Sequence, residues 1–226
     1  MKKIIIAIDG PASSGKSTLA KKLADYLNFL YLDTGAMYRA ITYLVLKNNI
    51  ESDIAKIIEL TKQIKLDLKF ENGVTRVWVD NEEVTDEIRK PFVSSKVSEV
   101  STIPQVREEM VSLQRRIANQ HSIITEGRDT TTVVFPEADI KIYLTASVEA
   151  RAKRRYKEYC ETDQNVSFEE VFENIKKRDL IDSSRNVSPL KKADDAIEID
   201  TTEITVEQEK TEVLALVANL VEKLRN

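Results

Sequence analysis

Gly10, Gly15, Lys16 and Ser17 are the residues most able to do chemistry, spaced as G-x-x-x-x-G-K-[ST] within Gly10-Pro11-Ala12-Ser13-Ser14-Gly15-Lys16-Ser17-Thr18. Glycines let backbone close around an anion, so that loop N–H groups and a helix N-terminus point at phosphate oxygens. Lys16 would then bridge the terminal phosphates of a nucleotide such as ATP, and the Ser17 hydroxyl would hold Mg²⁺. The flanks support this. An apolar run, Ile4 to Ile8, precedes the loop as expected for a strand buried on both faces. Leu19, Ala20, Leu23, Ala24 and Leu27 follow at helical spacing. A glycine loop there by chance would not carry both flanks.

A second set of residues is arginine: Arg39, Arg107, Arg128, Arg154, Arg155, Arg178 and Arg185. Guanidinium forks suit phosphate oxygens, and several above one sheet edge suggest two phosphorylated substrates. Taken singly, Arg39 reads as a solvated helix residue, the basic run Arg151 to Lys157 as a solvated face, and Arg178 with Asp182 as an intrahelical ion pair. A dedicated general base is not evident. Transfer to a hydroxyl needs one, but a phosphate with a second pKa of about 6 is already an anionic nucleophile. The residues therefore lean toward a nucleoside monophosphate acceptor, with Asp33 and Asp129 open as bases for a hydroxyl substrate. His121, the one histidine, stands at the N-terminal end of a strand and reads as structural.

The elements that must position these groups alternate. Strands are predicted at Lys3 to Asp9, Phe29 to Asp33, Ser122 to Glu126, Ile140 to Leu144 and Ala196 to Asp200, with helices between them. That pattern implies an α/β fold: a five-stranded parallel sheet with right-handed crossovers, ligands binding beyond the carboxyl ends of its strands. Strict alternation interrupts it, Ile64, Leu66, Leu68 and Phe70 interleaving with Lys65, Asp67 and Lys69, then Glu71-Asn72-Gly73 as a turn and a strand from Val74 to Val79. The core is therefore placed at 1–62 and 101–226, with an antiparallel insert at 63–100 and a lid at about 151–166. Helical pieces broken at Pro91 and Pro104 span Thr85 to Gln120. Ser167-Phe168-Glu169-Glu170 is a capping box. Thr205 and Gln208 are expected to cap a final helix carrying Val213, Val217, Leu220 and Leu224.

Bulk properties narrow the classes. The 226 residues are 42% hydrophobic and 32% charged, with a net charge of −4, which argues against a polynucleotide partner. No apolar run approaches a membrane span, no cleavable signal opens the chain, and the one cysteine, Cys160, fits a reducing cytoplasm. Clusters of Cys and His with metal-ligand spacing are missing. A GTPase would need an Asn-Lys-x-Asp element, which does not occur. Motor domains need a larger core. A small-molecule kinase remains.

Four segments carry a family resemblance: Ile8 to Thr18; Tyr31-Leu32-Asp33-Thr34-Gly35-Ala36-Met37-Tyr38-Arg39; Glu126-Gly127-Arg128-Asp129 with Thr132 to Pro136; and Arg178 to Arg185 with Ser188-Pro189-Leu190. In this order the chain resembles the bacterial cytidylate kinases, P-loop nucleoside monophosphate kinases. The resemblance implies phosphorylation of CMP or dCMP by ATP. It implies that Thr34, Arg39, Arg128 and Arg185 hold the acceptor phosphate, that Ser98, Arg107 and Asp129 meet cytosine, and that Arg178 and Asp182 meet the sugar. Lys16, Arg128 and Arg185 would carry the catalytic charge, and Arg154 and Arg155 would belong to a lid over ATP. The insert would be the enlarged monophosphate-binding subdomain, and the enzyme a monomer. One position departs: the family pattern Gly-Arg-Asp-x-Gly-Thr meets Thr131 where glycine is usual. A threonine does not take positive φ without cost, so the resemblance leaves this loop's shape, and the placement of Asp129, unspecified. Two rival readings stay open: a P-loop kinase for UMP or another small acceptor, and a nucleotide-binding regulatory module without turnover.

Overall fold

The computed structural model describes residues 3–71, 74–162, 164–203, 215 and 217–224. Its centre is strand β1 (Ile5–Asp9), in which Ile6, Ala7 and Ile8 are wholly buried. On one face Ile6 and Ile8 pack with Leu19, Ala20 and Leu23 of helix α1 (Lys16–Leu27). On the other, Ile5 borders a core built from Met37 and Ile41 of α2 (Thr34–Lys47), Ile57 of α3 (Ile54–Gln63), and Val106 and Met110 of α5 (Pro104–Ala118). Helices cover both faces, which is why the central strand is a continuous apolar run.

Beside β1 lie β6 (Ile123–Gly127) and β7 (Ile140–Thr145). β2 (Leu30–Asp33) and β8 (Ile197–Asp200) are the edges, giving the order β2-β6-β1-β7-β8. Every pairing is parallel. The register brings polar residues together at one edge: Asp9 pairs with Gly127 and Tyr143, Asp33 with Glu126, and Thr145 with Asp200. Strand ends differ from the sequence expectation by one or two residues, and β6 runs on through Gly127.

The antiparallel interruption forms a separate sheet of β3 (Leu66–Glu71), β4 (Val74–Val79) and the short β5 (Glu82–Glu83). Asn72 and Gly73 of the expected turn lie outside the described residues. Leu66 and Leu68 are half-buried while Lys65, Asp67 and Lys69 are exposed, as alternation requires. The sheet lays Val77 and Val79 on Ala36 and Ala40 of α2. Tyr31 of β2 meets Phe70 edge to face at 5.1 Å. Pro91 and Pro104 open helices α4 (Pro91–Val100) and α5, occupying first turns where a missing N–H costs nothing.

After β7 come α6 (Val148–Glu161) and α7 (Phe168–Ser184); the Ser167–Glu170 capping box starts the second. Thr205, Gln208 and Val213 lie outside the described residues. Residues 217–224 are helical; Val217 and Val221 are buried in the α1 core, whereas Leu224 is exposed.

Gly10 shows how tightly β1 delivers the loop. Its φ is +152°, and a Cβ there would stand 1.9 Å from the Leu144 carbonyl oxygen, a backbone atom of the neighbouring strand. Gly10→Ala is therefore expected to cost about 3 kcal/mol, from strain and a displaced strand. Urea unfolding that matches wild type within about 0.5 kcal/mol, the range of ordinary surface substitutions, would contradict it.

Candidate active site

The loop after β1 is held from several sides. Lys16 Nζ donates to the Pro11 carbonyl at 2.7 Å and stands 3.4 Å from Ser14 Oγ. Arg151 Nη1 donates to the Ala12 carbonyl at 3.2 Å, and Thr201 Oγ1 to the Ser14 carbonyl at 3.1 Å. Ser13 takes φ +60° and Gly15 φ +98°, backbone the tight loop requires before α1 begins. Ser17 Oγ donates to Glu126 Oε1 at 2.6 Å. Three loop carbonyls are thus tied to the protein, which fixes the loop's shape.

A cleft opens beyond the carboxyl ends of β1, β2 and β6. Ser13, Lys16, Ser17 and Thr18 line it from the loop; Thr34 and Arg39 from α2; Ser98 from α4; and Arg107 from α5. Arg128 and Asp129 follow β6, Arg155 comes from α6, and Arg178, Asp182 and Arg185 come from α7 and its end. Residues distant in sequence therefore converge. Of the predicted loop residues Gly10, Pro11, Ala12, Ser14 and Gly15 lie behind this lining, and of the predicted arginines Arg154 stands apart. Its guanidinium bonds Thr201, at 3.0 Å to Oγ1 and also to the carbonyl, so it reaches the loop through Thr201. Arg155 lies closer, its Nε donating to Ser13 Oγ at 3.1 Å.

Local chemistry explains each placement. Asp33 caps α2, accepting from the Ala36 N–H at 2.7 Å, and also receives Arg39 at 3.2 Å. Thr34 Oγ1 donates to the Glu126 carbonyl at 2.6 Å, joining β2 to β6. Arg128 Nε donates to Asp182 at 2.9 Å. The intrahelical Arg178–Asp182 pair expected from spacing gives way to this longer-range one. Asp129 pairs with buried Arg107, and Arg185 stands 3.8 Å from its other oxygen. The Arg107 guanidinium also lies 5.3 Å from the Tyr38 ring centre.

Crowded cations set the electrostatics. Burial, then Arg128 and Arg178, push Lys16 down to about 7 against the pull of Glu126 and Asp9. Burial and Arg128 likewise push Arg178 down to about 10. Arg185 is lowered by burial and Arg107. For Asp182 burial works upward, but Arg128, Arg178 and Arg185 outweigh it and hold the carboxyl low. The hydrogen bonding shows the same excess. Arg39 Nε, Arg107 Nε, Arg178 Nε and Arg185 Nη2 are buried without a hydrogen-bond partner, and all four residues line the cleft. Buried unsatisfied donors are rare and costly, and four in residues lining one cleft favour an anionic ligand there.

Two residues escaped the reading from sequence. Glu126, treated there only as part of a motif, lines the cleft and accepts from both Ser17 and Tyr31, the latter at 3.2 Å. Its signal was available: a carboxylate closing a buried strand beside a phosphate loop. Arg151 was grouped with a lid, yet it is buried and clamps Asp179 of α7 in two bonds of 3.0 and 2.6 Å. Lys153 and Lys157 pair with Glu149 and Glu161 on the exposed side of α6. His121 is exposed in the turn before β6, away from the cleft end of that strand. The loop at Thr131 also has an answer. Thr131 keeps negative φ, and residues Thr130–Val134 form one wide π turn that needs no glycine.

Comparison with known proteins agrees with this geometry. The family model described as cytidylate kinase matches residues 6–222. A cytidylate kinase of Caldanaerobacter subterraneus subsp. tengcongensis is 53% identical over 204 residues, 90% of this chain and 89% of the relative. One from Enterococcus faecalis is 48% identical, covering 99% and 97%, and one from Fusobacterium nucleatum subsp. nucleatum is 46% identical over the full length of both. Among solved structures, an uncharacterised protein from Eubacterium ventriosum shares the fold with a TM-score of 0.52 at 16% identity, covering 96% of this chain and 99% of that one. With matches of this identity running from end to end, the chain belongs to the cytidylate kinase family.

Proposed function

We propose that the protein transfers the γ-phosphoryl group of ATP to the phosphate of CMP or dCMP, forming ADP and CDP or dCDP. The convergence of Lys16 and its loop with Thr34, Arg39, Arg128 and Arg185 on one cleft carries this reading, because it sets a second group of phosphate donors beside the first. Lys16 with the loop from Gly10 to Thr18 holds the donor phosphates. Thr34, Arg39, Arg128 and Arg185 hold the acceptor phosphate, and Arg178 with Asp182 holds the sugar. An oxygen of the acceptor phosphate attacks the γ-phosphorus and the bond to the ADP oxygen breaks. The acceptor is already anionic at neutral pH, so no base is needed. Ser17 and Glu126 present two oxygens side by side, a hard donor set of the kind Mg²⁺ takes while keeping several waters. Bound there, Mg²⁺ would neutralise charge on the transferring phosphoryl group.

The antiparallel region at 63–100 acts as the monophosphate-binding subdomain and the segment at about 151–166, apart from the buried anchor Arg151, as a lid, with Arg155 nearest the donor. We read the enzyme as a monomer of the cytoplasm. Among the described residues no helix is long and apolar enough to cross a membrane, and no three His, Cys, Asp or Glu side chains group as a metal site. The test is ADP release from ATP and Mg²⁺ with CMP, dCMP, UMP and AMP supplied one at a time. CMP and dCMP should give the fastest release. Release that does not change when CMP is omitted would favour a binding module, and UMP outrunning CMP would change the acceptor.

Lys16 adds a thermodynamic signature. With its pKa near 7, Lys16 is mostly neutral at pH 8, and donor phosphates favour the charged form. Binding a non-hydrolysable ATP analogue at pH 8 should therefore take up about half a proton or more, seen as a binding enthalpy that changes with the buffer's ionisation enthalpy. Uptake should shrink at pH 6, where Lys16 is already charged, and vanish in Lys16→Met. Equal uptake in that variant would exclude Lys16 as the source.

A further inference from the structure

Asp9, the last residue of β1, is wholly buried, and no ion-pair partner for it is found among the described residues. Its carboxylate is instead held by four donors from two adjacent threonines. Oδ1 accepts from the Thr130 N–H at 2.9 Å and the Thr130 hydroxyl at 2.7 Å. Oδ2 accepts from the Thr131 N–H at 2.7 Å and the Thr131 hydroxyl at 2.6 Å. All four bonds are charge-assisted, the strong kind. Burial nonetheless raises the Asp9 pKa, with the nearby Asp129 carboxylate adding to the rise against the pull of both threonines.

What Asp9 joins is the point. On one side the next residue is Gly10, the start of the loop that holds the donor phosphates. On the other, Thr130 directly follows Arg128 and Asp129, which line the acceptor side of the cleft. The two loops otherwise belong to different strands, β1 and β6. Their parallel pairing ends at Asp9 and Gly127, so beyond that point the sheet no longer sets their spacing. The bonds from Asp9 to Thr130 and Thr131 carry the connection to residues three and four positions past Gly127. A wide turn over Thr130–Val134 aims both N–H groups at the carboxylate, and Arg115 supports that turn through the Val133 and Val134 carbonyls at 2.7 and 2.9 Å. A glycine at 131 would supply its N–H but not the fourth bond.

We propose that Asp9 is a positioning residue, and that its carboxylate, clamped by Thr130 and Thr131, holds the donor-phosphate loop and the acceptor-phosphate loop in alignment for transfer. This rests on the kinase reading above. Each loop binds its own phosphates by its own contacts, so loosening the joint leaves both ground-state complexes nearly intact. What suffers is the in-line approach of the acceptor oxygen to the γ-phosphorus, where a displacement of about 1 Å costs on the order of 10²-fold. Attack by water on the γ-phosphorus, giving ADP and inorganic phosphate, depends on the donor loop and not on the acceptor loop. The ratio of hydrolysis to transfer therefore reads alignment, and loss of folded protein cannot change it.

The experiment measures CMP phosphorylation and CMP-free ATP hydrolysis, each with Mg²⁺, for wild type and for Asp9→Asn, Thr131→Val and Thr131→Ser. Asp9→Asn turns one acceptor oxygen into a donor that faces a hydroxyl and an N–H. Its kcat for transfer should fall about 100-fold, with KM for ATP and CMP changed by less than about threefold and the hydrolysis-to-transfer ratio raised at least about tenfold. Thr131→Val keeps the branched shape without the hydroxyl. It should lose about tenfold in transfer and raise the ratio, whereas Thr131→Ser should restore the wild-type ratio. Should Asp9→Asn not fold, Thr131→Val decides. Hydrolysis and transfer falling together at constant ratio, or Thr131→Val matching wild type, would overturn the proposal. Wild type without CMP-dependent ADP release would instead overturn the kinase reading itself.

Discussion

Lys16→Ala is expected to lower kcat by about three orders of magnitude while the protein stays folded. Lys16 is buried at the start of α1, attracted by Glu126 and Asp9 and repelled by Arg128 and Arg178. Burial and the cations Arg128 and Arg178 lower its pKa to about 7, so its charge adds little to the stability of the free protein. Its contribution appears when negative charge builds up between donor and acceptor. A fixed donor aimed at such charge in a water-poor site supplies about 2.7–4 kcal/mol, or roughly 10²–10³ in rate, and a full positive charge belongs at the upper end. Because this interaction strengthens toward the transition state, kcat should fall more than KM rises. Turnover within tenfold of wild type, with an unchanged circular dichroism spectrum, would remove the phosphate loop from the mechanism.

The second large effect is on base selectivity. Asp129 and Arg107 form a buried ion pair over Tyr38, with Ser98 in the same cleft wall. Side by side they offer an acceptor and a donor, and on the proposed kinase reading these would meet the N4 amino group and N3 of cytosine. Uracil reverses both positions, offering a carbonyl to the carboxylate and an N–H to the guanidinium. Each such base contact contributes about 1–3 kcal/mol of discrimination, and a site built around polar contacts rejects the wrong partner strongly. Wild type should therefore show kcat/KM for CMP at least about 100-fold above UMP, and Asp129→Ala should reduce that ratio below about tenfold. The variant will also be less stable, since removing one partner of a buried pair costs about 3–5 kcal/mol. The ratio of two substrates on the same preparation is insensitive to that loss. An equal decrease for CMP and UMP would mean that Asp129 only neutralises Arg107 and Arg185.

Where one element determines its own form, the sequence was readable. The apolar run of β1, the glycines of the loop and the period of α1 are local signals, and so is the alternation from Ile64 to Phe70 that separates the small sheet from the parallel one. Proline placement foretold where α4 and α5 begin. The candidate site was legible as a set of residue types at strand ends, because a parallel sheet puts those ends on one edge. Partnerships across long separations were not legible. Spacing paired Arg178 with Asp182, but Asp182 bonds Arg128, 54 positions away. Arg151 looked like one of five cations on a solvated helix, and only the packing of α6 on α7 and the loop buries it against Asp179. The same holds at Thr131. Backbone preference identified the position as unusual, while the hydroxyl's partner, Asp9, lies 122 residues earlier.

On the proposed reading the cleft brings two phosphates together for direct transfer. Incubating the protein with ATP labelled in its γ-phosphate, Mg²⁺ and CMP, then separating the nucleotides, tests it most directly. Label should appear in the β-phosphate of CDP, one CDP for each ADP, and almost none in inorganic phosphate. Label accumulating in inorganic phosphate while CMP remains unchanged would contradict it.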